Sequence, residues 1–144
     1  MLPPTYLFFA ILAMAGLHFL LPGKKIVPFP WNFFGALPFI TGVVLNIVAD
    51  RAFKKQKTTV KPFEESTVLI TGGAYAISRH PMYLGFVLIL LGIAIALGSL
   101  SPYAIVILFP VLMEIIFIRP EEKMLDRTFG DKWRSYKAKV RRWI

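Results

Sequence analysis

HPMYLGFVLILLGIAIALGSLSPYAIVILFPVLM, residues His80 to Met113, runs for 34 residues without a Lys, Arg, Asp or Glu. About 20 apolar residues carry a helix across a bilayer, so this run has length for two crossings. Its middle reads GSLSP, Gly98 to Pro102, a turn signal. The stretch predicts an antiparallel membrane hairpin, with spans at about 81–98 and 103–119 whose outer ends lie on one side.

Two further charge-free runs, Met1–Gly23 and Ile26–Ala49, hold 23 and 24 residues and predict spans at about 3–22 and 31–52. The chain is 56% hydrophobic with a mean hydropathy of +0.63, more apolar than a soluble domain of its 144 residues. The expected fold is all-α: one integral-membrane helical bundle over 1–144, with about four transmembrane helices, a loop over 53–80 and an interfacial tail over 120–144. The first run lacks a basic start and leads into more membrane, so it reads as a span rather than a signal peptide. There is no cysteine, which excludes disulfides, thiolate metal sites and a cysteine nucleophile.

The net charge of +9 has a membrane explanation. Fifteen of the 17 Lys and Arg follow span 2, sit at the base of span 3 or follow span 4. Positive residues stay cytoplasmic, so the 53–80 loop, the C-terminal tail and the N-terminus are expected on that face. Lys24 and Lys25, between spans 1 and 2, oppose the rule. The partner implied is a membrane, not nucleic acid.

Gly35 and Gly42 share a face of span 2, and span 3 carries Gly85, Gly92 and Ala96. Small residues let helices approach closely, either within the chain or in an oligomer. Asn46 and Asp50, at i and i+4, are expected to face protein, and Pro110 to kink span 4. Glu114 lies inside span 4, where an acid is expensive and points to function, or to pairing with Arg119 or Asn46. After Gly130, Trp133, Tyr136, Val140 and Trp143 form one helical stripe among basic residues, the mark of a helix in the headgroup plane.

TGGAYAISRHPMYLG (Thr71 to Gly85) and RPEE (Arg119 to Glu122) meet at the ends of the predicted hairpin. His80 and Glu121 should therefore be neighbours. Glu121 and Glu122 attract a cation, Tyr75 and Tyr83 offer ring faces, and Arg79 offers an anion contact. The set suits a ligand carrying both ammonium and carboxylate groups, or a zwitterionic lipid head. The other histidine, His18, lies in span 1, and no metal-ligand spacing appears.

RHPMY, followed beyond the hairpin by EE and FGDKWRSY, resembles the membrane methyltransferase superfamily of isoprenylcysteine carboxyl methyltransferases and phospholipid methyltransferases. The resemblance covers about 45–144 and implies S-adenosylmethionine as methyl donor. It implies that His80, the segment Pro81 to Gly85 including Leu84, and Glu121 and Glu122 hold the cofactor, walled by Tyr75 and Tyr83. The acceptor would be lipophilic. A carboxylate acceptor needs a cation, Arg79 or Arg119, whereas a protonated amine needs a base, Glu114 or Glu122. Membrane sterol reductases, which use NADPH, share part of the pattern, but an acid typically follows the glycine where this chain has Phe86. A non-enzymatic membrane scaffold is the third reading.

Overall fold

The computed structural model describes residues 1–57 and 67–144, and all of its regular elements are helical. Residues 58–66, part of the loop expected over 53–80, lie outside the described residues. Helix α1 spans Pro3–Leu20. A 3-10 turn over Trp31–Gly35 leads into α2, Ala36–Lys55. Helix α3 is Pro81–Leu97 and α4 is Tyr103–Met113. A π-helical turn over Glu114–Ile118 carries α4 directly into α5, Arg119–Phe129. Helix α6 is Asp131–Lys139.

Three of these helical rods are long and apolar enough to cross a membrane: Pro3–Leu20, Trp31–Lys55 and Tyr103–Phe129. The fourth, α3, has 17 residues, about 25 Å of helix. It is the most enclosed of the four, burying Tyr83, Phe86, Ile89, Leu90 and Ala94. A helix that is apolar all round belongs in the middle of a bundle.

The seam between α2 and α3 is the tightest helix contact. A Cβ on Gly92 would lie 2.5 Å from the Gly35 carbonyl oxygen and 2.7 Å from Phe39 Cβ. At Gly85 it would meet the Asn46 amide, and at Gly42 the Gly85 carbonyl oxygen. The glycines on spans 2 and 3 are thus spent on packing inside the chain. Asn46 donates to the Gly42 carbonyl of its own helix at 3.0 Å and its amide lies against Gly85 of α3, so it faces protein as expected.

At the end away from the charged clusters, Gly98 closes α3 with φ of 80°, a left-handed cap open to glycine. The 21–27 segment lies along this turn through Ile26 N–H to Gly98 O at 2.9 Å and Leu100 N–H to Lys24 O at 2.9 Å. His18 and Ser99 share a hydrogen bond of 2.8 Å that ties α1 to the same turn.

The rod from span 4 does not stop at 119. It runs unbroken for 27 residues to Phe129, so the first part of the expected tail is helix continuous with the span. Pro120 lacks an N–H and would break a regular ladder. Directly before it the chain has widened into a π turn, where Arg119 N–H reaches back five residues to Glu114 O. Helix α6 also ends earlier than the aromatic stripe implies. Val140 is extended, with φ of −120° and ψ of 129°, so Val140 and Trp143 leave the helix.

Replacing Gly92 by Val should lower the thermal unfolding midpoint in detergent, by overpacking worth about 1–3 kcal/mol. Gly16→Ala is the control, because a Cβ there meets nothing within 4 Å. Equal midpoints for both variants would show that the seam does not hold the bundle.

Candidate active site

The site is built where α3 begins, α5 begins and the chain ends. His80 precedes Pro81, which starts α3 with its preset φ and no N–H to satisfy. The ring of His80 is 3.1 Å from Glu122 Oε1. Three residues on, the Tyr83 hydroxyl donates to Glu121 Oε2 at 3.2 Å. The hairpin thus brings both members of the acidic pair to the start of α3.

Glu122 is 7% exposed and surrounded by cations. Arg142 Nη2 donates to Oε2 at 2.7 Å and its Nε to Oε1 at 3.2 Å. Arg79 Nη1 lies 3.4 Å from Oε1, close enough to pair, although not aligned as a hydrogen bond. Arg142 also reaches Glu114, with Nη1 donating to Oε1 at 2.9 Å. Glu114 takes a further contact from Arg119 Nη2 at 3.2 Å. The membrane acid therefore pairs with Arg119, as one reading expected, and with Arg142, not with Asn46.

Arg142 is the residue that the sequence reading missed. It sits in a run of basic residues, which looks like a headgroup ligand. The terminal segment is strapped under α3 by Arg79 N–H to Arg141 O at 3.0 Å and Ser78 Oγ to Arg142 O at 3.1 Å. Its Arg142 N–H groups meet the Glu122 and Glu114 carboxylates, and the Glu122 contacts hold the Arg142 guanidinium above its ordinary pKa.

Helix α6 supports the site from below. Trp133 is 2% exposed and Tyr136 7%, both packed with Ala49 and Tyr75. This half of the aromatic stripe faces protein rather than lipid. The Tyr136 hydroxyl donates to the Tyr75 carbonyl at 2.5 Å. Burial pushes that hydroxyl up to about 12, against an opposing pull from Arg79, so it remains a donor at neutral pH. Burial, with Glu121 adding to it, also holds the Tyr75 phenol protonated well above its usual range. Arg79 stands over the Trp133 ring at 5.6 Å.

A cavity of about 130 Å³ opens beside these groups, walled by Tyr75, Arg79, His80, Tyr83 and Glu121. Leu2, Pro3, Phe53, Met82 and Phe86 form its apolar side. The Arg79 side chain is 8% exposed, yet its Nε and Nη1 have no hydrogen-bond partner among the described residues. Among the described residues, Glu121 accepts a bond from Tyr83 alone. The cavity thus presents one guanidinium and one carboxyl group, each with spare hydrogen-bonding capacity. Five expected site residues line it. Pro81 and Leu84 belong to the first turn of α3, where Leu84 N–H bonds His80 O at 3.1 Å. Gly85 faces α2, and Glu122, Glu114 and Arg119 lie outside the cavity wall.

The model for the phospholipid methyltransferase family matches residues 31–132. Protein-S-isoprenylcysteine O-methyltransferase of Saccharomyces cerevisiae is 34% identical over 145 residues, covering 92% of this chain and 58% of the yeast protein. An uncharacterised protein of Haemophilus influenzae is 43% identical over 63 residues, its whole length and 44% of this chain. The fold matches a solved eukaryotic intramembrane Ras methyltransferase, isoprenylcysteine carboxyl methyltransferase, with a TM-score of 0.73 and 25% identity. That match covers 98% of this chain and 52% of the other. The chain therefore spans little more than half the length of these two methyltransferases. The site's two halves, RHPMY on α3 and EE on α5, both fall within the matched residues, and the chain belongs to the phospholipid methyltransferase family.

Proposed function

We propose that the protein transfers a methyl group from S-adenosylmethionine to a carboxylate on a lipophilic acceptor at the cytoplasmic face of a membrane. The observation that carries this reading is the under-bonded couple in the cavity: Arg79, ion-paired to Glu122 but with buried N–H groups lacking a hydrogen bond among the described residues, and Glu121 with a carboxyl bonded by Tyr83 alone. Buried polar groups are normally satisfied, so such a couple fits a ligand that brings the complementary charges.

When bound, S-adenosylmethionine supplies a methyl group activated by a sulfonium. Glu121 receives the cofactor's ammonium, and the rings of Tyr75 and Tyr83 shelter positive charge. His80, fixed by Glu122, forms part of the wall. Arg79 orients the acceptor carboxylate, which is already nucleophilic and needs no base. A lipid amine would need one, and the acids suited to that task, Glu114 and Glu122, are both occupied by arginines. Methyl transfer is in-line, so the protein's work is alignment and exclusion of water, which the apolar side of the cavity favours. The isoprenylcysteine named in the relatives belongs to this acceptor class. The cytoplasmic placement rests on the concentration of Lys and Arg at the site end of the bundle.

The two adjacent glutamates should separate by experiment. Glu121→Gln should weaken S-adenosylhomocysteine binding, measured by calorimetry, by roughly ten- to a hundredfold, the worth of a charge-assisted contact, with little change in the unfolding midpoint. Glu122→Gln should instead lower the midpoint, since breaking a buried pair leaves Arg142 and Arg79 uncompensated, at a cost of about 3–5 kcal/mol. Equal behaviour of the two variants would contradict the assignment. Arg79→Gln should raise the acceptor KM in a labelled-methyl assay on an isoprenylcysteine analogue by about tenfold or more, leaving S-adenosylhomocysteine affinity within about twofold. Labelled product formed on a lipid amine but not on a carboxylate would overturn the proposed chemistry.

A further inference from the structure

Two grooves lie outside the cavity and share no lining residue with it. Both follow the helical rod from Tyr103 to Phe129. The first, of about 510 Å³, runs between α1 and α4 and is apolar: Leu108, Leu112 and Ile115 face Phe9 and Ala13. The second, of about 630 Å³, lies between α5 and α6 and is lined by five cations, Lys123 and Lys137 among them, with Trp133 and two acids, Glu122 and Asp126. Ile115 closes the first groove and Arg119 opens the second, four residues further along one rod.

Their depth matches the two parts of a lipid. From Tyr103 to Arg119 the rod rises about 24 Å, and hydrocarbon is about 30 Å thick. The apolar groove therefore faces acyl chains, and Arg119 and Lys123 reach headgroup level. The arginines there are already committed: Arg119 to Glu114, Arg142 to Glu114 and Glu122, and Arg134 to Asp126 and Asp131. Lys123 and Lys137 have no acidic partner among the described residues. Two uncommitted ammonium groups suit a phosphate. They disfavour a headgroup with an ammonium of its own.

We propose that this bipartite surface is a binding site for an anionic glycerophospholipid. An acyl chain lies between α1 and α4, and the phosphate sits at Lys123 and Lys137. The site lies outside the methyl-transfer cavity, although Glu122 and Arg142 of the ion cluster border its polar half.

Native mass spectrometry of the detergent-purified protein tests the proposal, with phosphatidylglycerol and phosphatidylcholine as probes. Phosphatidylglycerol should be retained preferentially, and Lys123→Gln/Lys137→Gln should reduce that retention by about tenfold or more. Phosphatidylcholine adducts and the unfolding midpoint should stay unchanged. Millimolar inorganic phosphate should fail to displace the lipid. Equal retention of the two lipids, or undiminished phosphatidylglycerol on the double variant, would overturn the proposal. Displacement by free phosphate would replace the lipid with a soluble anion as occupant. If the double variant loses its fold, Lys137→Gln alone, on the exposed face of α6, must still lower retention for the proposal to stand.

Discussion

A carboxylate buried at the edge of a membrane must be paired, and Glu122 is paired from three directions. His80 comes from the start of α3, Arg79 from the segment before it, and Arg142 from the end of the chain. The adjacent Arg79 and His80, Glu122 itself and Arg142 come from three distant parts of the sequence. They can meet only if α3, α5 and the terminal strap converge. The architecture of the site follows from that requirement. The cavity lies beside the ion cluster because Arg79, His80 and Glu121 border both.

Convergence also needs α3 held at a fixed height in the bundle. Within lipid there is little hydrophobic drive for helices to associate, so close packing does the holding. The contacts of Gly35 with Gly92 and of Gly42 with Gly85 let the α2 and α3 backbones nearly touch. Their spacing of seven residues on each helix keeps them on one seam. A side chain at any of them would push α3 outward and carry His80 away from α5. The seam and the ion cluster therefore act on the same helix from its middle and its end.

Much of this was legible in the chain. A charge-free run with a central turn can form little except a hairpin, and that placed RHPMY beside EE. Seven-residue glycine spacing announced a seam. Periodicity could not say which medium the aromatic stripe faces, because Trp133 and Tyr136 recur at helical spacing whether they touch lipid or protein; they touch protein. Nor could it show that Pro120 would sit inside a continuous rod, since the preceding π turn arises from the conflict between Pro120 and the regular ladder. Arg142 was hidden for a different reason: a long-range ion pair leaves no local pattern, and one arginine among many basic residues carries no mark of its partner.

The acidic doublet shows why two like charges stand side by side. Successive residues of a helix project about 100° apart, so adjacent glutamates cannot face the same space. On α5 one turns toward Tyr83 and the cavity, and the other toward Arg142 and His80. Glu122 is neutralised inside the protein and leaves no charge to offer. Glu121 faces the cavity, and it sits one residue from the most strongly held carboxylate in the site. Its backbone is thereby fixed by its neighbour's ion pairs. The doublet thus turns its two carboxyl groups to different surroundings: Glu122 anchors the ion cluster, and Glu121 borders the cavity.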